Sequence, residues 1–227
     1  MGHQLKDRRA PRPAKSYAPP LAPLDVAHID DHLVVLRKPS GLLTTEGRAE
    51  GMEDCLLSRA RERWPNVLPI HRLDMDTSGI VLFARSEAAQ SNAAQQFEAR
   101  RVTKIYIARV AGHLQPDTGE IIAHIRKDYE RRPIHEVHPD GKPARTIWQL
   151  EKYDSGVSRV KLTPITGRTH QLRVHMAYKG HPILGDRLYA PDEVLALADR
   201  LQLHAASISL RHPATGDGVT FSATCPF

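Results

Sequence analysis

Two segments of this 227-residue chain hold side chains whose types and spacing suit chemistry. The first runs His71-Arg72-Leu73-Asp74-Met75-Asp76-Thr77-Ser78-Gly79. It follows a helical pattern broken at Pro65 and leads into an apolar run, so Asp74 falls on a loop between rigid elements, where catalytic groups concentrate. Spacing alone leaves its role open. The carboxylate would serve to cap the turn through the amides of Thr77 or Ser78. It would equally work with Asp76 as the paired carboxylates of a glycosidic-bond hydrolase.

The second segment runs from Pro164 to Met176 as Pro-Ile-Thr-Gly-Arg-Thr-His-Gln-Leu-Arg-Val-His-Met. Gly167 opens a strand-to-helix junction, and a helix start beside the Arg168 guanidinium attracts an anion, either an RNA phosphate or a carboxylate. Were Arg168 to pair with Asp74, it would keep that carboxylate ionised, because a cationic neighbour lowers an acid's pKa by about one to three units. A metal centre built on His170, His175 and His181 is not expected. Ligand pairs on a helix usually stand four residues apart, whereas His170 and His175 diverge by about 140° of helix turn.

Around these segments the chain alternates short β-branched runs with turns. Val26 to Ile29 and Leu33 to Leu36 read as a hairpin about Asp30-Asp31, and Gly79 to Ala84 as a buried strand. Met52 to Trp64 is an amphipathic helix pattern stopped at Pro65. Ser86 is placed to cap a second helix ending near Arg100-Arg101. Strands are expected over Val102 to Val110, Ile121 to Arg126, Thr146 to Tyr153, Val157 to Leu162, Ala206 to Leu210 and Val219 to Ser222. Helices are expected over Thr169 to Lys179, with Gly180 at C′, and over Asp192 to Leu201 behind Pro191. Strands outnumber helices and are mostly hairpin-linked, which makes the class α+β with a large mixed or mainly antiparallel sheet.

Composition narrows the function. With 41% apolar and 26% charged residues the chain is a folding one, and it has no apolar stretch near the roughly 20 residues of a membrane span. Residues 1–23 are basic, rich in proline and without periodicity, so they read as a flexible tail lacking the apolar core of a secretory signal; a cytoplasmic protein is expected. Two isolated cysteines, Cys55 and Cys225, give no disulfide framework. A formal charge of +6 and a sequence pI near 9.5 favour a polyanionic partner, through counterion release. A non-catalytic RNA-binding module would share that charge, but has no need of an aspartate beside an arginine.

Residues 71–79 match without a gap the His-Arg-Leu-Asp-x-x-Thr-Ser-Gly motif of the RluA family of pseudouridine synthases, which this chain resembles. The strand Lys104-Ile105-Tyr106-Ile107-Ala108 resembles the family's Lys-x-Tyr-x-Ala. Gly167 to His175, followed by Gly180-His181-Pro182-Ile183-Leu184-Gly185-Asp186, extends the likeness. So do Arg37 to Leu42 and Gly141-Lys142-Pro143-Ala144 with Thr146, which together carry it from about Leu24 to the C-terminus.

The resemblance implies the pseudouridine synthase fold with a catalytic cleft across its sheet, a catalytic domain over 24–227 and no S4 domain. It implies Asp74 as the essential carboxylate, acting at ribose C1′ or C2′, Tyr106 as the ring packed on the base, and Arg168 as the partner of the aspartate. Arg72 corresponds to the residue that enters the helical stack in place of the flipped uridine, and His71, Thr77, Leu172 and Arg173 join it in binding RNA. Leu73, Ile80 and Leu172 are candidate pocket walls. The substrates implied are structured RNAs, 23S rRNA and/or a tRNA anticodon stem-loop. No cofactor, metal or obligatory protein partner is implied, and the protein is expected to act as a monomer. Asp76 stands at a variable position of the motif.

Overall fold

The computed structural model describes Arg12 and residues 16–227. Of the expected tail, positions 1–11 and 13–15 lie outside the described residues. Ser16 to Pro23 form neither helix nor strand. The Tyr17 hydroxyl donates to the Asp54 carbonyl at 2.6 Å and accepts from the Leu43 amide at 3.1 Å, and Arg59 donates to the carbonyls of Pro20 and Ala22.

In chain order the first elements are β1 (Asp25–Ile29), β2 (Leu33–Lys38), α1 (Leu56–Arg63), β3 (Leu68–Pro69), β4 (Ser78–Ala84), α2 (Glu87–Glu98) and β5 (Thr103–Ala111). Then come β6 (Thr118–Lys127), β7 (His135–Val137), β8 (Lys142–Asp154), β9 (Val157–Pro164), α3 (Gln171–Tyr178), α4 (Asp192–Leu195), β10 (Leu203–Arg211) and β11 (Gly218–Ser222). The chain forms two compact units. One, the Asp74 unit, spans 16–107 and 203–227; the other, the Arg168 unit, spans 108–202 with Arg12. The class is α+β as expected: β4 and β10 run parallel, whereas β1–β2, β2–β4, β3–β4, β6–β7, β6–β8, β8–β9 and β10–β11 pair antiparallel.

In the Asp74 unit the strands lie in the order β1-β2-β4-β10, with β3 and β11 pairing β4 and β10. The β1–β2 hairpin forms where the sequence places it, because Asp30 Oδ1 accepts the amides of His32 and Leu33 and closes the turn. Every residue of β4 is buried. Side chains alternate across it, so Val81 and Phe83 join Val34, Leu36 and the α1 residues Leu56, Leu57 and Ala60. Ile80 and Leu82 join Leu33, Val35 and Ile208 in a different cluster.

Helix α1 is shorter than its pattern. It begins after Cys55, whose thiol accepts the Ser58 amide while the Ser58 hydroxyl accepts the Cys55 amide, a reciprocal cap that fixes the start. Ser86 caps α2 as expected through the Ala89 amide, but the helix ends at Glu98, and Arg100 turns to φ 56° beyond it.

The Arg168 unit orders its strands β9-β8-β6-β7, and α3 packs on β7 and β6. Gly180 does end α3: its amide bonds the Ala177 carbonyl and that of His181 bonds Met176, a Schellman closure. The helix expected over Asp192 to Leu201 is a single turn, α4. Backbone pairing wins over helix propensity beyond it, because Gln202 exchanges bonds with Leu184 and Arg109, and the Arg200 carbonyl lies against Gly185.

Candidate active site

Asp74 occupies a loop whose main chain is held from outside. Thr77 donates its amide to the Asp74 carbonyl at 3.1 Å, so the turn is closed by Asp74's backbone. The strand end and loop from Lys38 to Thr44 grip the same residues. Lys38 Nζ donates to the carbonyls of Met75, Leu42 and Pro39 at 2.8, 2.6 and 2.9 Å, with only 1% of the residue exposed. Gly41 donates its amide to Met75, Ser40 its hydroxyl to Asp76, and Thr44 both gives a bond to the Leu73 carbonyl and takes one from the Leu73 amide. Leu73, Met75 and Asp76 are thus fixed on either side of Asp74. This grip is the kind of support that sets a catalytic group's direction.

Beyond the loop, Gly79 adopts φ 118° where β4 meets β10, and a Cβ there would lie 2.2 Å from the Ala205 carbonyl oxygen. Only glycine allows that approach. Ser78 Oγ lies 2.9 Å from His204 Nδ1 and fastens the same junction.

Tyr106 packs against the cluster that contains Leu73. Burial raises the pKa of its phenol, and the charge of Asp74 raises it further, so the ring is neutral at physiological pH and within electrostatic reach of the carboxylate. Asp74, Tyr106 and Leu73 are therefore brought together in one unit. Ile80 is not among them: its place on the strand turns it to the other cluster.

The motif residues around Asp74 differ in kind. Arg72 is exposed. His71 Nε2 accepts the Leu82 amide at 3.1 Å, and its ring stacks on Phe97 at 5.2 Å. Burial, reinforced by the Lys104 charge, pushes its pKa down to about 3, so it is neutral. Thr77 is buried in the turn.

In the Arg168 unit, Gln171 organises the second motif. Its Oε1 accepts the Arg168 amide and the Thr166 hydroxyl, while its Nε2 donates to the Arg145 carbonyl and Thr146 hydroxyl. Arg168 Nε donates to the Pro143 carbonyl at 3.1 Å. Arg173, expected to bind RNA, has 3% exposure and a two-point bond to Asp186 at 2.8 and 2.6 Å. Leu172 is likewise buried. The three histidines of the metal alternative go separate ways: His170 to the Tyr189 hydroxyl, His175 to Thr146 and His181 to the Ala111 carbonyl.

Sequence reasoning passed over Lys38, Gln171 and Asp186 as functional supports. Lys38 carried a signal, a lysine closing the apolar run Leu33 to Leu36 and followed by Pro39-Ser40-Gly41, where a solvated side chain would be out of place.

A family described as RNA pseudouridylate synthase matches residues 32–178. The chain belongs to the RNA pseudouridylate synthase family. It is 48% identical over 215 residues to the dual-specificity RNA pseudouridine synthase RluA of Pasteurella multocida, covering 93% of this chain and 98% of that one. To the Escherichia coli K12 protein of the same name it is 44% identical over 216 residues, covering 94% and 99%. Among solved structures it is similar to human RNA pseudouridylate synthase domain containing 1, with a TM-score of 0.76, 29% identity and coverage of 95% and 86%. A second human structure, RNA pseudouridylate synthase domain containing 4, gives a TM-score of 0.72 at 25% identity, covering 89% and 88%. The chain is an RNA pseudouridine synthase, which isomerises uridine to pseudouridine in RNA. Among the described residues no helix is long and apolar enough to cross a membrane.

Proposed function

We propose that this synthase acts on selected uridines of 23S rRNA and/or a tRNA anticodon stem-loop, with Asp74 as its catalytic carboxylate. The observation that carries this reading is the main-chain grip of Lys38 to Thr44 on the residues beside Asp74, with the Tyr106 phenol under the influence of its charge.

In the reaction the N1–C1′ bond breaks, the uracil turns, and a C5–C1′ bond forms; C5 loses its proton and N1 gains one. Uracil is both leaving group and incoming nucleophile, so the balance needs no cofactor. A stacked uridine cannot present C1′ and C5 to a carboxylate, so it must be flipped out, at a cost of a few kcal/mol. Arg72, exposed next to a buried Leu73, suits entry into the vacated stack. Tyr106, held as a neutral phenol, packs against the flipped base and is not a standing base. Arg168 takes its place among the catalytic residues from its motif, and Gln171 sets its main chain. Protein working as a monomer in the cytoplasm, with no obligatory protein partner, completes the reading.

Transcripts of both RNAs carrying uridine tritiated at C5 test it, because every turnover frees that hydrogen to water. Release is expected from at least one of them. Release from neither removes these substrates.

A further inference from the structure

We propose that the loop from Lys127 to Pro133 is a second RNA contact, in which Tyr129 stacks an unpaired nucleobase of the substrate and Lys127 and Arg132 meet the adjoining phosphates. The proposal rests on the RNA substrate of the preceding reading and adds a recognition surface to it.

Tyr129 is 72% exposed, the most exposed aromatic ring among the described residues. Lys127 Nζ and Arg132 Cζ each lie 5.7 Å from its centroid, within cation–π range. The ring is presented by a fixed turn. Asp128 Oδ1 accepts the amides of Glu130 and Arg131, each at 3.0 Å, and its Oδ2 takes Arg131 Nε at 2.7 Å. The Asp128 amide bonds the Ile134 carbonyl at 3.0 Å and the Ile134 amide bonds Arg131 at 2.8 Å, closing the loop over the buried Ile134.

Charge selects the occupant. Asp128 is neutralised by Arg131, and Glu136 is bonded by Arg126, so these carboxylates are already paired while Lys127 and Arg132 stand beside the ring. An apolar protein partner would want apolar neighbours, whereas an aromatic face set among cations is how unpaired nucleotides are bound, by stacking plus phosphate contact. Because the turn is already ordered, little conformational freedom is lost on binding.

The loop is also tied to the second motif within its own unit. Two residues past the loop, His135 donates its amide to the Tyr189 hydroxyl at 3.0 Å, and that hydroxyl lies 2.7 Å from His170 Nδ1. The rings of His135 and His170 meet edge to face at 5.2 Å. A base on Tyr129 would therefore bind to a loop tied through His135 and Tyr189 to His170, just before α3.

The test compares full-length wild type, Tyr129→Ala and Tyr129→Phe for equilibrium binding to the anticodon stem-loop and 23S transcripts, and for tritium release from them. Loss of the ring should weaken binding and raise KM about five- to fifty-fold for the RNA that uses it, with kcat within about two-fold. Phe should restore both. Unchanged thermal melting of the Ala variant will show that the fold is intact. Equal binding by wild type and Tyr129→Ala overturns the platform, as does failure of Phe to restore it. Binding is read independently of turnover, so wild type that binds but releases no tritium would count against the substrate reading alone.

Discussion

Lys38 donates to the carbonyl of Met75, the residue that follows Asp74, across 2.8 Å. A buried ammonium is costly unless its protons are all used, and here each has a backbone carbonyl. The lysine therefore ties its own segment, through Pro39 and Leu42, to the Asp74 loop at Met75.

Lys38→Met keeps the stem and removes the donors, leaving the carbonyls of Pro39, Leu42 and Met75 without this partner. Unfolding in urea should show a loss of about 2–4 kcal/mol. The loosened loop should lower kcat more than it raises KM in the tritium-release assay. An unchanged kcat would mean that this tie does not position Asp74.

Gly79→Ala tests the junction of β4 and β10. The added methyl meets the Ala205 backbone and sits at a positive φ, so strain and overpacking combine to about 3 kcal/mol or more. Thermal melting should fall steeply, and a melting temperature near wild type would show that the strands part without cost.

Asp186→Asn separates a structural from an RNA-contacting role for Arg173. Taking the opposing charge away from the buried guanidinium should cost about 3–5 kcal/mol of stability. Under conditions where the variant is folded, the dependence of RNA binding on salt should match wild type. A slope smaller by about one phosphate contact would put Arg173 on the RNA after all.

His71 gives a pH signature. Its folded pKa of about 3 lies below the ordinary 6.5, so between these values the unfolded chain binds the extra proton and stability falls as pH drops. His175, pushed down to about 4 mainly by burial, acts in the same direction. His71→Gln can still accept the Leu82 amide without titrating, and should lose less stability than wild type between pH 6.5 and 4. Denaturant melts across that range that run parallel for the two proteins would refute the assignment.

The sequence was most legible where local rules act. The Asp30 turn, the Ser86 cap and the Gly180 stop each depend on neighbours within a few residues, and each formed as its pattern required. The turn after Leu195 was not legible, because the competing partners, Leu184 and Arg109, are distant in sequence. Site residues divide likewise. The motif around Asp74 announced itself, but side-chain direction did not. That Arg173 bonds Asp186, thirteen residues on, could not be read from its place in the RNA-binding motif. Ile80 reads as a pocket wall until strand alternation turns it to the opposite cluster.

The claim at the centre of this account is that Asp74, and not its neighbour Asp76, performs the isomerisation. Tritium release from C5-labelled RNA by Asp74→Asn and Asp76→Ala decides it most directly. The account predicts that Asp74→Asn still binds the transcript but releases no tritium above background, while Asp76→Ala stays within a few-fold of wild type. Substantial turnover by Asp74→Asn, or equal loss in both variants, would contradict it.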